Sequence, residues 1–349
     1  MAQTSQSAQQ RVQQEVQQQA GKLLAQVAGY VGVRTLDIGL RSGLLDAVGH
    51  YPLGITAEAL AEETGLDALY VGVWCRSAYA SEVLEMGEHE AYTLAPHMDK
   101  LLLDQDFPGY IGGIPGVMVQ PELFDRFAEN LPSGKRTWWD ECSPTFIEKV
   151  SNTGRPFYTR LIPTGLSRVP GLAESLAHGA KVLELACGGG IGLVRMAQTY
   201  PQIALVGVDG DTHSLDLTAD RIKQAGLQNR VSLVHSPLED ISDQERYDLV
   251  VINISMHECR DIERVTRNVH QALRPGGSFV ISDFPFPAAT VETRSVPARV
   301  MCGIQFFEAL IGDQLLPTQV FVDLLSRHGF RNVGFFDLTP VHSVIHGQK

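Results

Sequence analysis

From Leu23 to Val48 apolar residues recur at helical spacing (Leu24, Val27, Ala28, Val31, Leu36, Leu40, Leu44, Leu45, Val48), which predicts an amphipathic helical region. Residues 1 to about 20 are Gln- and Ser-rich without that period, so a frayed arm merging into the helix is expected. Thr56 is placed to cap a helix whose apolar residues share one face, and Gly65 marks the turn into the next, predicted over Val71 to Met86. A short strand follows at Ala91–Ala95, with Gly87–Glu90 as the hairpin tip, so the pattern is a helix-turn-helix with a wing. From Lys181 onward the pattern changes. Apolar runs near 181–186, 204–209, 231–235, 247–253 and 277–283 alternate with helical segments, and Gly329–Asp337 and Val341–His346 form an antiparallel pair. This predicts an α/β fold, a doubly wound and mostly parallel sheet, behind a mainly helical N-terminal domain.

Between these regions, 107–165 holds scattered Pro and Gly and the pair Trp138-Trp139. Loops and short helices that link the domains and roof a site are expected, with domains at 1–110, 111–165 and 166–349. The tryptophans suit either stacking on a substrate ring or packing of the seam. The 349 residues suffice for two domains.

Charge removes one class of function. The chain carries 28 basic and 40 acidic residues. From Leu36 to Asp106 there are three basic residues against thirteen acids, the wrong sign for a winged helix on DNA. No apolar run reaches the roughly 20 residues of a membrane helix, and the polar N-terminus does not read as a signal peptide. Cys75, Cys142, Cys187, Cys259 and Cys302 are scattered, without a C-x-x-C pair. They are expected to be reduced thiols in a cytoplasmic protein, with no disulfide or zinc framework.

The chemistry concentrates at Val182-Leu-Glu-Leu-Ala-Cys-Gly-Gly-Gly-Ile-Gly192 and at Leu205-Val-Gly-Val-Asp-Gly210. A strand runs into a glycine turn, and the next strand ends on Asp209, 25 positions after Glu184. Such an arrangement holds a ribose-bearing cofactor: glycines admit the ligand to the backbone and the acid accepts ribose hydroxyls. A dinucleotide frame begun at Gly188 or Gly190 ends on Leu193 or Arg195, and no G-x-x-x-x-G-K-[ST] loop occurs. With Glu184, Ala186, Gly188 and Gly190 in the frame E/D-x-G-x-G-x-G, the chain resembles the class I S-adenosylmethionine-dependent methyltransferases, with alanine for the first glycine. The resemblance implies S-adenosyl-L-methionine as cofactor, Glu184 near its methionine end and Asp209, followed by Gly210, at its ribose. Residues 36–105 resemble the dimerisation domain of small-molecule O-methyltransferases, which implies a homodimer.

That second resemblance carries further. Phe157 and Leu161 fall where the family sets residues against the methionine end, although an i, i+4 pair on one helical face is equally suited to core packing. The turn Ser236-Pro-Leu-Glu-Asp240 corresponds to the adenine contact, with Leu238 and Glu239 as candidates and Pro237 in place of the usual aspartate. Asn253, at the tip of the fourth strand, is expected to line the methionine moiety. In Asn253-Ile-Ser-Met-His257-Glu-Cys-Arg-Asp261, His257 matches the family's general base and Asp261 its later acid, with Cys259 or Arg260 where tryptophan is expected. An imidazole near pKa 6.5 can take a hydroxyl proton at neutral pH; a helix-capping or satisfied loop histidine is the alternative. Asp283, 26 residues on, corresponds to the acid that orients the ring, and Asp313 is the nearest candidate for a second. Phe286, Met301, Phe306 and Phe307 offer apolar surface for a substrate pocket.

The expected function is methyl transfer to a hydroxyl of a small molecule, aromatic or polyketide-like, with a histidine base. The alternatives are N- or C-methylation by proximity alone, and a non-catalytic cofactor-binding regulator. No nucleic-acid or membrane partner is expected.

Overall fold

The computed structural model describes residues 2–349, and their side chains from residue 9 onward apart from position 140. Residues up to 104 together with 114–119 form one compact unit, and 105–113 with 120–349 form the other. The segment 111–165, expected to stand as a linker, is thus shared between them.

In the first unit a single helix runs Ala2–Arg41. The glutamine-rich segment expected to fray is helical from Ala2, because Gln, Ala, Arg and Glu favour helix without supplying an apolar period. Gly43, at φ 76°, breaks the chain before a second helix, Leu44–Gly49, whose Leu44, Leu45, Ala47 and Val48 are buried. Thr56 caps the helix Ala57–Thr64 by accepting from the Ala59 amide at 3.3 Å, and Gly65 closes it at φ 66°. Asp67 caps the next helix, Ala68–Ala80, earlier than predicted. The rest of the expected helix contains strand β1 (Leu84–Met86), which pairs antiparallel with β2 (Tyr92–Leu94). Trp74 donates its indole N–H to the Thr35 carbonyl at 3.0 Å, which fastens the long helix to Ala68–Ala80.

The second unit is built on seven strands: β3 (Lys181–Leu185), β4 (Ala204–Asp209), β5 (Val231–His235), β6 (Tyr247–Asn253), β7 (Leu273–Asp283), β8 (Arg331–Thr339) and β9 (His342–Gln348). Their order is β5-β4-β3-β6-β7-β9-β8, with β3 to β7 parallel and β9 antiparallel to both neighbours. The near-continuous apolar runs follow from burial on both faces. Alternation along β3 sends Val182 into one apolar layer and Leu183 and Leu185 into the other. The chain runs outward from β3 through β4 to β5 and then returns to β6, so a crevice opens at the carboxyl ends of β3 and β6, where such sheets bind ligands. Among the described residues no helix is long and apolar enough to cross a membrane.

Candidate active site

That crevice is a cavity of about 470 Å³. The turns after β3 (Ala186–Gly189), β4 (Asp209–Asp211), β5 (Pro237–Glu239) and β6 (Asn253–Ser255) form its floor. One face of the helix Pro144–Arg160 contributes Ile147, Ser151, Gly154 and Tyr158, at helical spacing. Trp138, Trp139, Glu258, Cys259 and Arg260 complete the wall.

The glycine turn is fixed by Asp209. Its carboxylate accepts from the amides of Gly188 at 2.7 Å and Asp211 at 2.9 Å. Burial raises its pKa while those backbone bonds work against the rise. Gly188 sits at φ 49°, with no other atom within 4 Å of where a Cβ would stand, so its backbone is open to a ligand. Ala186 holds φ 49° as well, so the alanine in place of a glycine carries backbone strain besides its methyl. At the tip of β6, Asn253 is held through its Oδ1, which accepts from Ser282 Oγ at 2.6 Å; Ser282 in turn meets His342 Nε2 at 2.6 Å. Arg160 donates to His342 Nδ1 at 3.1 Å, which assigns the ring proton to Nε2. Burial, with Arg160 adding to it, holds His342 neutral. The Asn253 Nδ2 is buried without a hydrogen-bond partner.

Of the anticipated cofactor residues, Ala186, Gly188, Asp209, Gly210, Leu238, Glu239 and Asn253 lie on the cavity, and four others do not. Glu184 is buried beside Tyr158. Burial, reinforced by Asp209 and opposed by a hydrogen bond from Tyr158, pushes its carboxyl up to about 8. Gly190 serves a different contact, since a Cβ there would lie 2.7 Å from Thr218 on the adjacent helix. Phe157 turns to Phe284 and His342, with centroids at 5.1 and 4.6 Å, and Leu161 is fully buried in the core. The helix is rotated from the expected phase, and Tyr158 and Gly154 take the cavity positions. Phe286, Met301, Phe306 and Phe307 are not on its wall either; Phe306 packs edge-on against Phe124 and Phe127. Trp139 lines the cavity and also packs on Phe307 at 4.8 Å, and the Arg260 guanidinium lies 4.1 Å above Trp138.

Beneath the cavity, His257 Nδ1 meets Asp283 Oδ1 at 2.7 Å, which brings together the first two of the anticipated catalytic residues. Asp313 is not the acid at the other ring nitrogen. Glu308, on the helix Val296–Ile311, occupies that place, 3.7 Å from Nε2. Asp313 lies just past that helix, at the edge of the cluster, where burial and Glu308 push it up to about 6. Burial alone would discharge His257, but the carboxylates of Asp283 and Glu308 outweigh it, and its pKa lies well above the ordinary value. Asp261 caps the helix Ile262–Ala272 by accepting from the Arg264 amide at 2.9 Å.

Gly192 gives a direct test of this packing. A Cβ there would collide with Glu184 Oε1 and with the Tyr158 ring. Gly192→Ala is expected to cost about 1–3 kcal/mol by overpacking. It should also weaken cofactor binding, because Tyr158 must move. Thermal melts and calorimetry with S-adenosylhomocysteine measure both effects; an unchanged melt would refute the contact.

Comparison with known proteins bears on the family and the fold. A family model described as a methyltransferase domain matches residues 182–277. An uncharacterised methyltransferase of Synechocystis is 30% identical over 159 residues, covering 45% of this chain and 69% of that protein. The chain belongs to the S-adenosylmethionine-dependent methyltransferases. The malonyl-[acyl-carrier protein] O-methyltransferase of Priestia megaterium is 25% identical over 103 residues, 30% of this chain and only 36% of its own length. Human N-acetylserotonin methyltransferase, solved in complex with its cofactor, superposes with a TM-score of 0.71 over 95% of this chain and 98% of that one, at 14% identity. The fold of this methyltransferase, N-terminal unit included, is therefore the O-methyltransferase fold. The cavity suits the cofactor by its own features: an open glycine backbone, an unsatisfied buried amide on Asn253 and a carboxylate at the tip of β4.

Proposed function

We propose that this methyltransferase acts on a hydroxyl of a small aromatic or polyketide-like molecule, with His257 and Asp283 as the pair that holds the departing proton. The observation that carries the reading is the 2.7 Å contact between His257 Nδ1 and Asp283 at the base of the cofactor crevice. Bound S-adenosylmethionine supplies an electrophilic methyl group. Gly188 and Asn253 would hold it through backbone and amide, and Asp209 through the ribose hydroxyls. Leu238 and Glu239 flank the adenine end. The apolar wall of Trp138, Trp139 and Ile147 excludes water and favours a flat, apolar acceptor. Isotope transfer from labelled cofactor to a panel of phenols and amines tests the reading; labelling of amines alone would reject it. N-methylation is the second reading, favoured by Asp211, Glu239 and Glu258 on the wall, since carboxylates also attract a cationic amine.

A homodimer through the N-terminal unit belongs to the same proposal. Val16, Leu23, Val27 and Tyr30 on the long helix are each more than half exposed, a stripe that a second copy would cover. Replacing Leu23 and Val27 by glutamate is expected to give monomers in light scattering. A dimer that survives both substitutions would place the interface elsewhere.

A further inference from the structure

We propose that Glu258 is a catalytic residue: its carboxylate takes the acceptor's hydroxyl proton at the cavity wall and passes it to His257. The proposal rests on the O-methyltransferase reading above. The His257 side chain is only 1% exposed and is not part of the cavity wall, so an acceptor in the cavity meets Glu258 before it meets the imidazole. Nδ1 is committed to Asp283, so Nε2 is the nitrogen left to receive a proton. Its two neighbours are Glu308 Oε2 at 3.7 Å and Glu258 Oε1 at 4.0 Å. Glu308 is as buried as the ring, whereas the Glu258 side chain is 20% exposed and lines the cavity. Glu258 therefore reaches both the cavity and the imidazole.

The other carboxylates on the wall are poorly placed for this. Asp209 spends both oxygens on backbone amides, and Asp211 and Glu239 follow β4 and β5, on the sugar and adenine side. Burial pushes the Cys259 thiol well up, which makes it a poor acceptor. Burial, with Glu308 adding to it, also raises the Glu258 carboxyl, which brings its basicity closer to neutral pH.

The step balances without a further reactant. The acceptor oxygen bonds to the methyl carbon as the methyl–sulfur bond breaks, its electron pair going to sulfur. The hydroxyl proton moves to Glu258, which delivers a proton to Nε2 of the neutral imidazole. The imidazolium so formed lies between Asp283 and Glu308.

The test compares wild type with Glu258→Gln, Glu258→Asp and Glu258→Ala in methyl transfer to phenols graded from phenol to 4-nitrophenol. Glu258→Gln is expected to lower kcat on phenol by about 10²-fold or more, with KM and S-adenosylhomocysteine affinity little changed. Its effect should shrink as the phenol becomes more acidic, because an ionised oxygen needs no base. Glu258→Asp should fall between. Equal losses on every phenol, or no loss, would overturn the relay. A second arm needs no acceptor: carbethoxylation of His257, followed by peptide mass at mildly alkaline pH. Glu258→Ala should speed it by uncovering Nε2, and Glu258→Gln should not; equal rates in Glu258→Ala and wild type would overturn the proposal. So would activity lost to a chelator and restored by Zn²⁺ or Mn²⁺, for the donor atoms of His257, Glu258 and Glu308 lie within 4.8 Å of one another and would then be ligands. If only amines accept methyl groups, the oxygen reading fails while the carbethoxylation result still judges the relay.

Discussion

Replacing His257 by glutamine is expected to lower the rate of methyl transfer to a hydroxyl by roughly 10²–10⁴-fold, the span of general base catalysis. S-adenosylhomocysteine should still bind, because the ring lies below the cavity and not on its wall. The pH dependence identifies the mechanism. Burial disfavours the charged ring, but Asp283 and Glu308 outweigh it, so His257 keeps its proton to a higher pH than an ordinary imidazole. Only the neutral ring can receive a proton. Wild-type rates should therefore climb as pH rises through the raised pKa, and the glutamine variant should be flat over the same range. Stability runs the other way. Because folding raises this pKa, the ring's stabilising contribution is complete below its unfolded value of about 6.5 and disappears as pH rises through the folded value. Asp283→Asn removes one of the two charges that raise the pKa, so the rate limb should move to lower pH. A variant at position 257 that keeps both the wild-type rate and its pH profile would exclude the imidazole from the reaction.

How much of this was readable beforehand varies with the kind of interaction. The parallel strands were legible because each contains a short apolar run, and burial of β3, β4, β6 and β7 on both faces keeps polar positions few. Gly188 and Asp209 were legible as the glycine turn and the acid of one crevice, because strand and turn are local and the 25 positions from Glu184 to Asp209 follow from one helix between two strands; the bond between them, across 21 positions, was not. Helix phase was not. Phe157 and Leu161 share one face and Gly154 and Tyr158 a neighbouring one, and both faces carry residues able to pack or to bind. Only the contact of Phe157 with Phe284 and His342 separates them. Glu308 was hidden for another reason: it comes from a helix that packs over the site, and no local spacing connects it to His257. Asp313 was nearer to the position that the resemblance implies and further from the ring in space. His342, on the C-terminal hairpin, reaches Asn253 through Ser282, a link that exists only because β9 pairs with β7.

Asp209→Ala is expected to weaken S-adenosylhomocysteine binding by about 10²-fold or more, since a hydrogen bond to a charged group contributes about 1.5–3 kcal/mol and tenfold in affinity is 1.4 kcal/mol. Two losses combine in this variant. The ribose hydroxyls lose their acceptor, and the Gly188 and Asp211 amides lose the carboxylate that shapes the turn. Asp209→Asn separates them, because an amide oxygen can still accept from Gly188 while the charge is gone. Its affinity should fall between wild type and the alanine variant. Burial raises the Asp209 pKa above the ordinary carboxylate value, so the carboxylate protonates earlier as the solution is acidified. Wild-type affinity should accordingly decline as pH falls through that raised value, and the asparagine variant should lose this part of the dependence. Equal affinities for wild type and Asp209→Ala would mean that the cofactor does not engage the tip of β4, and the placement of every other cofactor contact would have to be redrawn.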